Sequence, residues 1–314
     1  MGIESTIAET TEIKNSACSA VKTGGYLSIL IDEDTRVCVQ GITGRDGSFH
    51  TERMVKYGTK VVCGVTPGKG GTNFLGIPVY DMLKDAVKKE GANTSIIFVP
   101  AKFAADALFE AGDSGVNLVV CISEGIPVLD MSRVLKFYRE KGVMLIGPNS
   151  PGLISPGKSK VGILPSNIFK KGSIGVISRS GTLTYELVSH ITKSGFGEST
   201  CMGIGGDPLL GLKFIDCLKL FEEDSETDAI LLVGEIGGHD EEDAADFIRD
   251  NVSKPVVAFV AGKTAPPGKR MGHAGAIISG GAGTAKEKIE KFESVGIRVA
   301  SEPEEVGKLF KELL

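Results

Sequence analysis

From residue 36 onward, apolar positions along the chain follow two alternating patterns. The runs "RVCVQ", "KVVCGV", "SIIFV", "NLVVCIS" and "VMLIG", spread over 36–147, are of strand length and nearly continuous in hydrophobicity, as strands buried on both faces are. Between them, "FHTERMVKYG", "VYDMLKDAVKKEG", "FAADALFEAGDSG" and "LDMSRVLKFYREKG" carry apolar residues at helical spacing and end at glycine, so helices are predicted over 49–58, 79–91, 103–115 and 129–142. The segment 147–167, "GPNSPGLISPGKSKVGILPSN", interrupts this rhythm with four prolines and four glycines, and a domain boundary is placed in it. A second series follows, with "SIGVIS", "STCMGIG", "AILLVGE", "PVVAFVAG" and "IRVA" as strands and a closing helix over 303–314. Strand–helix alternation means a parallel sheet with helices on both faces, so the expected fold is α/β, with doubly wound domains over 28–150 and 151–314.

Composition narrows the class. A net charge of −5 argues against a nucleic-acid surface while leaving room for a local phosphate site, and no run reaches the length of a membrane span. Six cysteines show no CxxC or His-pair spacing, so no metal site is indicated and reduced, intracellular thiols are expected. Residues 1–27 are polar and lack an apolar period, which reads as a mobile extension. Glu4, Glu9 and Glu12 and the absence of Arg make it a poor organelle presequence.

In a doubly wound sheet the ligand lies at the carboxyl ends of the strands. The loop "QGITGRDGSFH" places Gly41, Gly44 and Gly47 in GxxGxxG spacing between a strand and a helix. Ile42 stands where the dinucleotide fingerprint needs its second glycine, so the spacing does not fit NAD, although free N–H groups at a helix start still suit a diphosphate. After the second strand comes "CGVTPGKGG". There, in a loop expected to be flexible, Lys69 replaces the acid that would bind the ribose hydroxyls of NAD; a cation suits a ribose phosphate, which both NADP and coenzyme A carry. Ser123 and Glu124 follow the fourth strand, with Ser123 open to a ligand contact or a helix cap.

In the second half, Ser180-Gly181 in "SRSGTLTYE" begins a helix after a strand and offers an anion site, while the GxSxG elbow of serine hydrolases is absent. Glu235 ends a strand among glycines, where it either caps the next helix or orients an imidazole. Of the four histidines, His190 falls beside the stripe Leu183, Leu187, Ile191 and is expected in the core. His239 is expected in solvent and His50 beside the ligand. His273, in "GKRMGHAGAI", lies on a loop after a strand, within reach of the 180 loop and Glu235 in this topology. A neutral imidazole there is a candidate nucleophile for a phosphoryl group.

From about residue 28 to 314 the chain resembles the α subunits of succinyl-CoA synthetase (succinate–CoA ligase). The motifs that carry the resemblance, in order, are "QGITGRDGSFH", "GVTPGKGG", "EGIP", "GPNSPG", "SRSGTLTYE", "GIGGDP", "GEIGG" and "GKRMGHAGAI". The resemblance implies a Rossmann-like CoA-binding domain followed by a flavodoxin-like ligase domain. It implies His273 as the phosphorylated residue with Glu235 orienting it, and CoA contacts at Thr43, Gly44, Arg45, Asp46, Lys69, Ile122, Ser123 and Glu124. Tyr185 matches the succinate side, and Ser180-Gly181 a helix start aimed at phosphate. The implied reaction is succinyl-CoA + phosphate + NDP ⇌ succinate + CoA + NTP, a tricarboxylic acid cycle step passing through succinyl phosphate and phosphohistidine. The resemblance gives the Mg-nucleotide to a β subunit in an αβ or α2β2 assembly, placed in bacterial cytoplasm or the mitochondrial matrix. Ser150 departs from the cysteine common in bacterial members. An NADP-dependent oxidoreductase and a CoA-binding regulator without chemistry remain the competing readings.

Overall fold

The computed structural model describes residues 29–266, 268–278 and 282–314. The expected extension at 1–27 lies outside them. Two seven-stranded sheets follow one another along the chain. The first takes β1 (Arg36–Gln40), β2 (Lys60–Val65), β3 (Asn73–Phe74), β4 (Ile77–Tyr80), β5 (Thr94–Ile97), β6 (Leu118–Cys121) and β7 (Met144–Ile146) in the order β3-β4-β2-β1-β5-β6-β7. Without the antiparallel β3, this is the 3-2-1-4-5-6 order of the Rossmann fold. Its helices are α1 (Arg45–Tyr57), α2 (Leu83–Glu90), α3 (Ala101–Asp113) and α4 (Val128–Lys141), three of which close on a left-handed glycine, at Gly58, Gly91 and Gly142.

One expected element is corrected. Helical spacing predicts Val79 and Tyr80 in a helix over 79–91, but they end strand β4, and the helix begins only at Leu83. "IPVYDML" has apolar residues that satisfy helical spacing, yet Ile77 and Val79 alternate into the core as one face of a strand. That strand is what completes the Rossmann order.

The second sheet takes β8 (Gly152–Ser155), β9 (Ser159–Gly162), β10 (Lys171–Ser178), β11 (Glu198–Gly203), β12 (Ala229–Glu235), β13 (Val256–Ala261) and β14 (Arg298–Ala300), ordered β14-β13-β12-β10-β11-β8-β9. The five parallel strands have the flavodoxin-like order. Helices α5 (Gly181–Lys193), α6 (Phe214–Glu223), α7 (Asp240–Asn251), α8 (Ala285–Ser294) and α9 (Glu305–Leu313) cover it. The proline- and glycine-rich segment is not a bare linker, because β8 and β9 form an antiparallel hairpin on the edge of this sheet.

That hairpin also holds the two sheets together. The Thr59 hydroxyl, just past α1, donates to the Lys160 carbonyl at 2.7 Å and accepts from the Lys160 N–H at 3.2 Å. Met54 of α1 and Val161 of β9 belong to one buried apolar cluster that runs from the first sheet into the second. Thr59 is itself buried. Thr59→Val, which keeps the shape and removes both hydrogen bonds, should therefore destabilise the protein by about 1–3 kcal/mol in denaturant unfolding; an unchanged midpoint would place the adhesion elsewhere.

Candidate active site

The carboxyl ends of both sheets bring together the loops singled out in the sequence. In the first, Gly41 adopts φ +81°, and a Cβ at Gly47 would stand 2.1 Å from the Gly41 carbonyl oxygen. Only glycine lets α1 begin this close to the end of β1. Gly44 is the N-cap of α1 and has no side chain to spend on the free N–H groups. Thr43 donates its hydroxyl to Thr66 at 3.1 Å, and Arg45 and Asp46 pair at 2.9 Å with exposed side chains. Lys69 is exposed, but its loop is pinned: its N–H donates to Thr66, its carbonyl accepts from Thr72, and the Gly70 N–H donates to Asp81.

Ile122 and Ser123 are half-buried and Glu124 is exposed. Ser123 caps no helix; α4 starts from Pro127, and the Ser123 hydroxyl donates to the Val99 carbonyl at 2.5 Å. The Ser123 carbonyl accepts the N–H of Asn149, and the side-chain amide of Asn149 donates to Asp207 Oδ1 at 3.0 Å. Asn149 thus links the loop after β6 to the loop after β11.

His273 lies at the other end of that link. Its Nδ1 is 2.7 Å from Glu235 Oε2, and the ring lies against Gly206, where a Cβ would come within 2.2 Å of Cγ. Glu235 is buried at the end of β12 and does not cap the following helix, whose N-cap is His239. The hydrogen bond to Glu235 raises the His273 pKa above the ordinary histidine value, against the opposing effect of burial, and Glu124 adds to the rise. Burial also raises Asp207, with Asn149, His273 and Arg270 pulling the other way and Glu124 reinforcing it. The buried guanidinium of Arg179 has its Nε 3.7 Å from Glu235 Oε1, and among the described residues neither atom has a hydrogen-bond partner.

Ser180 spends its hydroxyl on the N–H of Leu183 as the N-cap of α5, with Gly181 as the first helical residue. Tyr185 is half-buried against the apolar cluster containing Val176 and Cys201, and among the described residues has no hydrogen bond to His273 or Glu235. His190 is half-buried rather than in the core, because the stripe beside it turns Leu187 and Ile191 inward. His239 is exposed, and His50 stacks on Phe98 with ring centroids 5.5 Å apart. Burial, then Lys160 and Arg53, lower the His50 pKa.

Sequence reasoning passed over Asn149, Arg179, Gly206 and Asp207 as site residues. Asp207 had a usable signal, an acid in "GIGGDP" directly beyond a strand's carboxyl end. The others stand inside quoted motifs, Asn149 in "GPNSPG", Arg179 in "SRSGTLTYE" and Gly206 in "GIGGDP", but what each does depends on a neighbour far away in the chain.

Two family models match the chain, "CoA binding domain" over residues 32–125 and "CoA-ligase" over 177–297. The succinate–CoA ligase [ADP-forming] subunit alpha 2 of Archaeoglobus fulgidus is 60% identical over 288 residues, covering 92% of this chain and 100% of that protein. The chain belongs to the succinate–CoA ligase α-subunit family. The family's members from Aquifex aeolicus and Staphylococcus aureus are 57% and 54% identical, over 92% and 90% of this chain and 95% and 93% of theirs. Among solved structures, ATP citrate lyase from Methanothrix soehngenii in complex with citrate and coenzyme A superimposes with TM-score 0.82 at 24% identity, over 92% of this chain. This chain spans 51% of that one, and the likeness shows the shared fold alone.

The two shifted histidines provide a test by NMR titration. His273 should titrate above the ordinary value and His50 below it, and Glu235→Gln should bring His273 down while leaving His50 in place. Because the folded pKa of His273 is raised, its pairing with Glu235 stabilises the fold fully below the unfolded pKa, and that contribution is lost as pH rises through the folded one. A His273 titration that Glu235→Gln does not move would remove the carboxylate as its cause.

Proposed function

We propose that the chain is the α subunit of a succinate–CoA ligase, making succinate, CoA and NTP from succinyl-CoA, phosphate and NDP together with a β subunit. The observation that carries this reading is the His273–Glu235 pair, in a family whose members bear that activity in their names. Those names specify ADP, and we assign ADP to this enzyme as well, bound with its Mg ion on the partner.

We assign CoA to residues 28–150, with Thr43, Gly44, Arg45 and Asp46 at its diphosphate, Lys69 at its ribose phosphate, and Ile122, Ser123 and Glu124 toward the thiol. The ligase part is assigned to 151–314. Phosphate attacks the thioester carbonyl, the C–S bond breaks, and the proton of phosphate ends on the CoA sulfur. Glu235 accepts from Nδ1–H, which leaves the lone pair on Nε2 of His273 to attack phosphorus. The P–O bond of succinyl phosphate breaks and succinate departs as its carboxylate, with Tyr185 on its side of the site. The N–H groups of the first turn of α5, from Gly181 onward, and the dipole of that helix stabilise the phosphoryl charge, while the Ser180 N–H donates to Ser178 Oγ at 3.1 Å. The phosphoryl group then passes from Nε2 to the nucleotide.

Two of these assignments are open to direct measurement. In the complex with its β subunit, His273→Asn should bind CoA normally and lose both the phosphoenzyme and turnover. The wild-type label from γ-labelled ATP should be acid-labile and base-stable; an acid-stable label, or one that persists in His273→Asn, would contradict the carrier. Lys69→Ala should weaken CoA by about 1.5–3 kcal/mol in calorimetry and dephospho-CoA far less. Equal losses for the two ligands would remove Lys69 from the ribose phosphate.

A further inference from the structure

Lys288 lies in the middle of α8, a position that reads in the sequence as one more surface charge, yet its side chain is fully buried. Its Nζ donates to Glu241 Oε2 at 2.5 Å, to Glu242 Oε2 at 3.1 Å and to the Gly238 carbonyl at 3.1 Å. Glu241, in the first turn of α7, is equally buried. Its other oxygen, Oε1, accepts the main-chain N–H of Glu235 at 3.1 Å. Contact with β12 is so close that a Cβ on Gly234 would stand 2.6 Å from Glu241 Cγ, and only glycine admits it.

The pair therefore joins both ends of the segment that carries His273. Glu235 precedes that segment on β12, and α8 follows it after a capping box at Thr284. Between them the loops interlock, the Gly237 N–H donating to the Gly283 carbonyl at 2.7 Å. A buried ion pair seldom stabilises a fold more than apolar side chains of the same size would. Here its free acceptor is spent on the residue that holds the imidazole.

We propose that Lys288 and Glu241 are positioning residues for phosphoryl transfer: their buried pair fixes the main chain of Glu235, and through it the orientation of His273. The proposal rests on the reading of His273 as the phosphoryl carrier. The charged groups around the imidazole are Glu235 from β12, Arg179 beyond β10, Glu124 beyond β6, Asp207 beyond β11 and Arg270 of its own loop, and none of them is altered in the test.

The decisive variant is Glu241→Met with Lys288→Met, which removes both fully buried charges together, leaves Arg179 its contacts with Glu235 and Asp240 and part-exposed Glu242 to solvent, and removes the acceptor for the Glu235 N–H. It is to be compared, in the complex with the β subunit, with Glu241→Gln with Lys288→Met, in which the glutamine oxygen can still accept. Single-turnover phosphorylation by γ-labelled ATP is followed against pH, alongside CoA calorimetry and thermal unfolding. The double-methionine variant should fold and bind CoA as the wild type does, yet be phosphorylated roughly 10- to 100-fold more slowly, as loss of an orienting partner costs elsewhere. The acid limb of its pH profile should move to lower pH, since His273 loses part of the carboxylate that favours its proton. The glutamine-containing variant should recover most of the rate. A folded double-methionine variant with wild-type rate and profile would overturn the proposal, and one that does not fold would assign the pair to the fold instead and overturn it too. Absence of label on wild-type His273 is a separate result, which removes the carrier reading on which all of this rests.

Discussion

A carboxylate at the end of a buried strand and an imidazole on a glycine-rich loop are held 2.7 Å apart, and much of the second sheet is arranged so that they stay there. An imidazole in solution rotates freely and shares its proton between two nitrogens. Fixing Nδ1 against Glu235 chooses the tautomer and leaves one nitrogen to react. The hydrogen bond can do this only if the carboxylate cannot turn away. Burial of Glu235, the Glu241 side chain on its N–H and Gly206 flat against the imidazole each remove one freedom.

The same constraint accounts for the join between the sheets. The proposed acyl and phosphoryl transfers need the thioester, the phosphate and the carrier in one crevice, but the loops assigned to CoA and the loop that bears His273 grow from different sheets. Asn149 bonds to both sides, through its N–H to Ser123 and through its amide to Asp207. Ser150 beside it donates to the Gly203 carbonyl at 2.5 Å and accepts the Gly152 N–H at 2.9 Å, so the hydroxyl at this position serves the main chain of the join. The hairpin that follows clasps α1, the helix that begins at the glycine-rich loop 41–47.

Electrostatics at the site follow from depth as much as from charge. Arg179 lies among Glu235, Asp240 and Glu241 at 3.5–4.0 Å, near enough to balance them in a medium of low dielectric without a close hydrogen bond to any. Glu124, by contrast, is exposed, and its field acts on Asp207 and His273 from there.

Ten of the strands, the glycine stops and the two-part α/β plan were legible in the sequence, because hydrophobic period and turn chemistry are local properties that each segment carries with it. His273 and Glu235 were legible for the same reason: a histidine among glycines and an acid at a strand's end each stand out against their immediate neighbours. Strand β4 was not, since four residues at a helix's edge satisfy both periods until pairing with β2 decides between them. The hairpin β8–β9 was hidden in a segment whose prolines and glycines read as a break, and only the free edge of β11 gives it something to pair with. Lys288 and Glu241 look in sequence like any charges on amphipathic helices; their burial exists only once α7 and α8 close over the end of β12. The sequence by itself determined which elements form and which side chains can carry chemistry, as both depend on residues near in the chain. The tertiary structure alone decided which of those side chains meet and what holds them, because hydrogen bonds and desolvation act between groups that only folding brings together.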